Sequence, residues 1–166
     1  MRPGLILAAI IVILDQLSKH WVVETLMRPQ GVWETPFYTA NRIEILPFFD
    51  LVMAWNRGVS FGIFNTDGRW NAVALSLLSV GIVIFLLNWM RKASSPLVTL
   101  ALGGIVGGAL GNVIDRVRWG AVADFLDVHV MGYHWPAFNL ADSAISIGAV
   151  ILVLDALFAR PSSSKN

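Results

Sequence analysis

Two aspartates, Asp124 in Gly120-Ala121-Val122-Ala123-Asp124-Phe125 and Asp142 in Phe138-Asn139-Leu140-Ala141-Asp142, stand at the margins of long apolar runs. A carboxylate at the edge of hydrocarbon costs about 2.5–3.5 kcal/mol or more, so it marks a functional position by default. Asp124 follows one apolar run and Asp142 lies about one turn into the next, so they approach one point from opposite sides of a short connection. Brought close together, two carboxylates share one proton and supply an acid and a base at neutral pH. That is the equipment of aspartic peptide hydrolysis, in which one carboxylate activates water and the other protonates the carbonyl oxygen.

Other polar residues have helical spacing toward the same point. Asn139 and Asp142 are three apart and Ser146 four further, which puts them on one helix face. Gly104, Gly108, Asn112 and Arg116 form one stripe of the preceding helix, and Gly103, Gly107 and Gly111 form the neighbouring stripe. Small residues every fourth position let helix backbones approach closely in lipid. Asn112 and Arg116 are then carried to the outer end of the bundle, where Arg116 has neighbouring Asp115 as an ion-pair candidate. Asp15 and Lys19, four apart with the acid first, read as a structural pair on the first helix.

The elements that must hold these groups are four apolar helices. The 166 residues are 56% hydrophobic and only 14% charged, against about 25% charge in soluble domains. Four stretches reach the roughly 20 residues that span hydrocarbon: about 4–23, 70–90, 97–114 and 138–159. They predict one four-helix membrane domain over residues 1–160, with a disordered tail at 161–166. The first run follows Arg2, but Asp15-Gln16-Leu17-Ser18-Lys19 succeeds it in place of a cleavage site, so it reads as a retained span. Ile43-Glu44-Ile45 alternates and Phe49–Trp55 is rich in strand formers, so residues 28–67 are expected to form a small strand-based structure on the outer membrane surface.

An even number of spans puts both termini on one side. Arg2, Arg91, Lys92, Arg160 and Lys165 gather there without acids, which predicts cytoplasmic termini and an outer face for both aspartates. Trp33, Tyr38, Trp55, Trp70, Trp119, Tyr133 and Trp135 fall on the outer side and read as an interfacial belt, with Phe125 and Leu126 as an anchor.

Rival chemistries leave weaker traces. With no cysteine, thiol nucleophiles, thiolate metal sites and disulfides drop out. A net charge of +1 without a basic stripe argues against nucleic acid. His129, His134 and Asp127 lack a recognised metal-ligand spacing, and Ser60 lacks the frame of a nucleophile turn. No metal or cofactor is expected. A proton-coupled carrier could use Asp15, Asp115 and Asp142 as a relay, but its acids would be staggered through the bilayer. A non-catalytic scaffold leaves Asn139 and Asp142 without a role.

Taken together, Gly107-Gly108-Ala109-Leu110-Gly111-Asn112-Val113-Ile114-Asp115-Arg116, Val122-Ala123-Asp124-Phe125 and Phe138-Asn139-Leu140-Ala141-Asp142-Ser143 resemble lipoprotein signal peptidase (signal peptidase II). Asp15–Lys19 and Asn56-Arg57-Gly58-Val59-Ser60-Phe61 resemble two earlier motifs of that family, and the likeness runs from about residue 10 to 158. The resemblance implies an aspartic endopeptidase of the bacterial inner membrane with four spans, both termini cytoplasmic and the active site at the periplasmic face. It also implies that the enzyme removes the signal peptide of diacylglyceryl-modified prolipoproteins just before the lipidated cysteine. By motif, Asp124 and Asp142 are the catalytic pair, and Asn56, Gly108, Asn112, Arg116 and Asn139 line the site or hold substrate. The family implies no metal and binding of globomycin-type inhibitors; a four-helix unit with its own cleft suits a monomer. Val59 and Ser60 depart from the small residues, often alanine, common after the Asn-x-Gly of the family.

Overall fold

The computed structural model describes residues 1–58 and 69–158. The sequence expectations for Val59, Ser60 and Phe61, and for the tail at 161–166, lie outside the described residues. Helix α1 spans Arg2–Trp21 and continues as a π-helical turn, Val22–Leu26. Strands β1 (Ile43–Leu46) and β2 (Phe49–Asn56) follow, then α2 (Arg69–Lys92) and α3 (Pro96–Trp119). Strands β3 (Val122–Val130) and β4 (Tyr133–His134) lead to α4 (Leu140–Phe158). Among the described residues, four helices are thus long and apolar enough to cross a membrane.

Local chemistry sets the limits of α3. Ser95 caps its start by accepting the Val98 N–H, with Pro96 in the first turn, where no donor is lost. Gly120 ends it at φ 73°, a left-handed conformation, and returns its N–H to the Arg116 carbonyl at 2.9 Å. The chain therefore reverses sharply, and Asp124 arrives four residues later on the neighbouring strand.

Helix α3 is the central element, and the two small-residue stripes explain how it can be. Gly103, Gly107 and Gly111 face α1: a Cβ on Gly103 would press on the Gly4 backbone, one on Gly107 would sit 2.7 Å from the Ala8 carbonyl oxygen, and one on Gly111 would lie 2.5 Å from Asp15 Oδ2. Gly104 and Gly108 face α4 instead, with Gly108 lying against the Ala141 carbonyl. Away from the sheet the bundle closes over Val83, Leu86, Met90, Val98, Leu102 and Val106. Gly103→Val is expected to overpack the α1 contact and cost about 1–3 kcal/mol. Gly81→Val, where a Cβ meets nothing within 4 Å, should leave stability in detergent unaltered or slightly raised.

The sheet is antiparallel in the order β1-β2-β3-β4, so it reaches beyond the expected 28–67 region. The missed half, Val122–Val130, includes Asp124 itself. Its buried run Val122–Phe125 lacks the alternation of a half-exposed strand, because Ala123 and Phe125 pack with Val22, Val23, Met27 and Trp119 while Asp124, on the other face, is covered by Asn139. Phe125 is buried against Val22 and Met27, so it is a core residue and not a lipid anchor. The expected aromatic belt divides similarly. Trp33, Trp70, Tyr133 and Trp135 are exposed, whereas Tyr38 and Trp119 are buried. Trp55 lies edge-on to Phe37, Tyr38 and Trp119 at centroid distances of 5.8, 5.7 and 5.7 Å.

Candidate active site

Strand pairing and a helix start together bring Asp124 and Asp142 to one place. Asp124 pairs in register with Ala54, which puts Asn56 diagonally across the strands, within side-chain reach. On its other side β3 bridges to the residue before α4: Leu126 N donates to Phe138 O at 2.8 Å, and Phe138 N returns to Leu126 O at 3.0 Å. Asn139 follows and caps α4. Its Oδ1 accepts the Asp142 N–H at 2.9 Å, while Asp142 Oδ2 accepts the Asn139 N–H at 3.3 Å. This reciprocal box leaves the Asn139 amide nitrogen free to donate to Asp124 Oδ1 at 2.7 Å. One residue thus holds both carboxylates.

Three asparagines share one logic. Asn56 Oδ1 is occupied by the Gly58 N–H at 2.9 Å, so its Nδ2 turns to Asp124 Oδ2 at 3.1 Å. Asn139 Oδ1 is occupied by the helix cap. Asn112 Oδ1 accepts from Lys19 Nζ at 3.1 Å, and its Nδ2 donates to Asp142 Oδ1 at 2.8 Å. In each case another donor takes the amide oxygen, and the NH2 group faces a carboxylate.

Asp124 is nearly inaccessible to solvent, and its carboxyl is pushed up to about 7. Burial is the larger cause and the charge of Asp142 the second; hydrogen bonds from Asn56 and Asn139 and the charge of Lys19 pull the other way. Near neutrality it therefore exchanges a proton readily, as a general acid or base must.

Arg116 stands at the mouth. It does not pair with Asp115, as its sequence neighbour suggested, because one step around the helix turns Asp115 inward to Lys19. Its Nη1 reaches the Asn112 carbonyl at 3.5 Å, its Nε has no partner among the described residues, and the charges of Asp142, Asp115 and Asp124 act on it. It lines a cavity of about 780 Å³ between the ends of α2 and α3, together with Phe37, Arg57, Val73, Leu77 and Val117. Gly108 has no side chain to bind substrate; a Cβ there would press on the Ala141 carbonyl, so the glycine lets α4 approach closely enough for Asn112 to meet Asp142. Ser146, expected on the same face, is exposed instead.

Asp15 and Lys19 do pair, at 2.8 Å, but as part of a larger buried group that the sequence reading left incomplete. Asp115 Oδ2 lies 2.7 Å from Lys19 Nζ, and all three side chains have 0% exposure. Asp15 also accepts the Ala141 N–H of α4 at 3.0 Å, and Asp115 accepts the Ala123 N–H of β3 at 3.3 Å. Gln16 donates to Asp115 Oδ1 at 2.9 Å. The signal for Asp115 was present: it is the next member of the Gly103-Gly107-Gly111 stripe, which faces α1 throughout. The acids of a proton relay would be staggered across the bilayer, whereas Asp15 and Asp115 clasp one ammonium beside the Asn112 amide.

Of the residues considered as metal ligands, His134 and Asp127 meet the Arg42 guanidinium, and His129 stacks on His134. Arg42 Nε is 2.5 Å from Asp50 Oδ2 and its Nη2 is 2.9 Å from Asp127 Oδ2, while the two imidazoles stack at 4.7 Å. His129 Nε2 lies 2.9 Å from Asp50 Oδ2 without hydrogen-bond alignment. Among the described residues no group of three or more acids and histidines is placed to hold a metal.

The sequence profile of the family described as Signal peptidase (SPase) II matches residues 7–158. The chain belongs to the signal peptidase II family. Two relatives named lipoprotein signal peptidase are close to it in sequence. The one from Burkholderia thailandensis is 42% identical over 160 residues, covering 95% of this chain and 89% of the relative. The one from Methylorubrum extorquens is 45% identical over 163 residues, covering 96% and 88%. Two solved structures described as bacterial membrane enzymes superpose with TM-scores of 0.78 and 0.79 at 26% and 28% identity. They cover 100% and 96% of this chain and 96% of each of those chains, so the likeness of fold to those membrane enzymes runs the length of the chain.

Proposed function

We propose that this signal peptidase II family member cleaves diacylglyceryl-modified prolipoproteins just before the lipidated cysteine, with Asp124 and Asp142 as the catalytic pair. The observation that carries the reading is the bridged dyad: two carboxylates held by Asn139, one of them, Asp124, buried and titrating near neutrality. The ionised member takes a proton from water as it attacks the scissile carbonyl carbon, and the protonated member gives its proton to the carbonyl oxygen. Collapse of the tetrahedral intermediate then breaks the C–N bond, and the proton first taken from water passes to the departing amine. Arg116, at the mouth beside both aspartates, holds the substrate backbone. The apolar wall of Val73, Leu77 and Val117 takes hydrocarbon from the substrate's lipid or signal helix.

We place the protein in the bacterial cytoplasmic membrane as a monomer, with both termini cytoplasmic and the dyad at the periplasmic face. Support comes from the bias of Arg2, Arg91 and Lys92 to one end and from the sheet and exposed Trp33, Tyr133 and Trp135 at the other. A lipidated cysteine in the outer leaflet then meets the dyad at its own depth. Globomycin-type inhibitors are expected to compete for the same cavity.

Purified protein in lipid nanodiscs, incubated with prolipoprotein with and without the diacylglyceryl group, should cleave the modified form alone, and EDTA should not slow it. Equal cleavage of the unmodified form would remove the lipid requirement, and inhibition by EDTA would replace the dyad with a metal. Asn56→Ala removes one donor to Asp124, so kcat should fall about 10- to 100-fold, as for loss of a hydrogen bond to a charged group. Because that bond lowers the Asp124 titration point, the alkaline limb of the pH–rate profile should move upward. A limb that moves downward contradicts the Asn56 hydrogen bond as a stabiliser of the ionised Asp124 carboxylate.

A further inference from the structure

Among the three asparagines of the site, Asn112 alone has its orientation set by a side chain that touches neither substrate nor dyad. Its Oδ1 accepts from Lys19 Nζ at 3.1 Å and from Asn139 Nδ2 at 3.4 Å, which leaves Nδ2 for Asp142 Oδ1 at 2.8 Å. An ammonium has three protons and no acceptor. Those of Lys19 meet Asp15 Oδ2, Asp115 Oδ2 and Asn112 Oδ1, so its donors are all used and none reaches Asp142 directly.

We infer that Lys19 is a positioning residue for the peptidase reaction: its buried ammonium locks the Asn112 amide so that a donor, never an acceptor, faces Asp142. The inference rests on the dyad reading above. A primary amide has two nearly isosteric ends. With Lys19 in place, turning Asn112 over would leave a buried N–H2 pointing at an ammonium and a buried oxygen pointing at a carboxylate. Both ends would lose a hydrogen bond to a charged group, the stronger class of such bonds. Without Lys19 the amide can turn, and its oxygen can accept from a protonated Asp142, holding that carboxyl in the form that cannot activate water.

The pair Asp15 and Asp115 has a purpose in the same arrangement. An isolated ammonium beside the dyad would be drawn to the catalytic carboxylates, whereas two acids hold it one amide away. Asp15 is itself fixed by the Ala141 N–H and Asp115 by the Ala123 N–H and Gln16, so the anchor is tied to both elements that supply the dyad. The charged groups around Asn112 and Asp142 are Asp15 and Lys19 on α1, Asp115 and Arg116 on α3, and Asp124 on β3.

Lys19→Met alone strips two buried acids of their partner, so the test uses Lys19→Met with Asp115→Asn, which leaves the net charge of the group at −1. Asn112→Asp is the second variant; it is isosteric, retains Lys19 as an ion-pair partner and withdraws the donor from Asp142. Each is purified in nanodiscs, its thermal midpoint recorded, and kcat and KM for diacylglyceryl prolipoprotein measured from pH 5 to 9. Folded variants should lose kcat about 10- to 100-fold with KM within about threefold of wild type, the size of one lost hydrogen bond to a charged group. The acidic limb of kcat should move to higher pH. Folded variants that keep the wild-type acidic limb, or lose activity through KM alone, overturn the proposal and leave Lys19 a purely structural residue. If the double variant does not fold, Asn112→Asp decides by the same criteria. Asp124→Asn and Asp142→Asn are assayed alongside: if either cleaves, the dyad reading fails, whereas two inert controls with a wild-type profile for the Lys19 variant reject this inference alone.

Discussion

Asp124→Asn is expected to abolish prolipoprotein cleavage, lowering kcat by about 10,000-fold, while making the protein more stable at pH 8. The activity loss follows from chemistry: an amide neither donates an acidic proton to the carbonyl oxygen nor accepts one from water, and general acid–base contributions reach about 10,000-fold. The stability gain follows from linkage. Burial and the charge of Asp142 raise the Asp124 carboxyl to about 7 in the folded state, against 3.8 as its ordinary value. Between those values the folded chain keeps a proton that the unfolded chain releases, so stability falls as pH rises through that window and the full penalty stands above it. Asparagine remains neutral throughout. The thermal midpoint of the variant should therefore exceed that of wild type by a few degrees at pH 8 and converge with it near pH 4. A lower midpoint at pH 8 would show that Asp124 stabilises the fold, contrary to its desolvated position.

Lys19→Met is expected to have the largest effect on stability. Three side chains with no solvent exposure share one ammonium, and its removal leaves Asp15 and Asp115 as two buried like charges. Breaking a buried pair by deleting one partner costs about 3–5 kcal/mol. The same group ties α1 to α3, to the start of α4 through the Ala141 N–H, and to β3 through the Ala123 N–H. Loosening it releases the sheet from the bundle as well as the helices from one another. Denaturation in detergent, followed by circular dichroism, should show the midpoint falling sharply, with restoration in part when Asp115→Asn is added. A single variant as stable as wild type would mean that the acids are neutral in the fold and that the ammonium is not their counter-charge.

Much of this was legible in the residues. Hydrocarbon demands long apolar runs, so the four helices announce themselves by composition, and the every-fourth-residue glycines of α3 name the faces on which α1 and α4 pack. Asn139 and Asp142 could be read together because a helix start imposes a fixed spacing of three. The second half of the sheet was hidden for a physical reason: Val122–Phe125 is buried on both sides, so it lacks the alternation by which Ile43-Glu44-Ile45 could be read as a strand. Asp115 was assigned to Arg116 by adjacency, but adjacent residues on a helix point about 100° apart, and the stripe rule gives the right partner. The aromatic residues were read as one belt because composition does not separate a Trp facing lipid from Trp119, which the sheet covers. Lys19 read as half of a structural pair within the first helix; only the three-dimensional arrangement adds the second acid and the amide it holds.

The central claim is that Asp124 and Asp142 act as one unit. A double-mutant cycle on cleavage of diacylglyceryl prolipoprotein tests it directly, using Asp124→Asn, Asp142→Asn and the two combined, each verified as folded by its thermal midpoint. Groups that work as a unit are strongly non-additive. Each single variant should fall to the same residual rate, and the combined variant should be no slower than either. Substantial cleavage by a single variant, or losses that multiply in the combined one, would contradict a shared catalytic dyad.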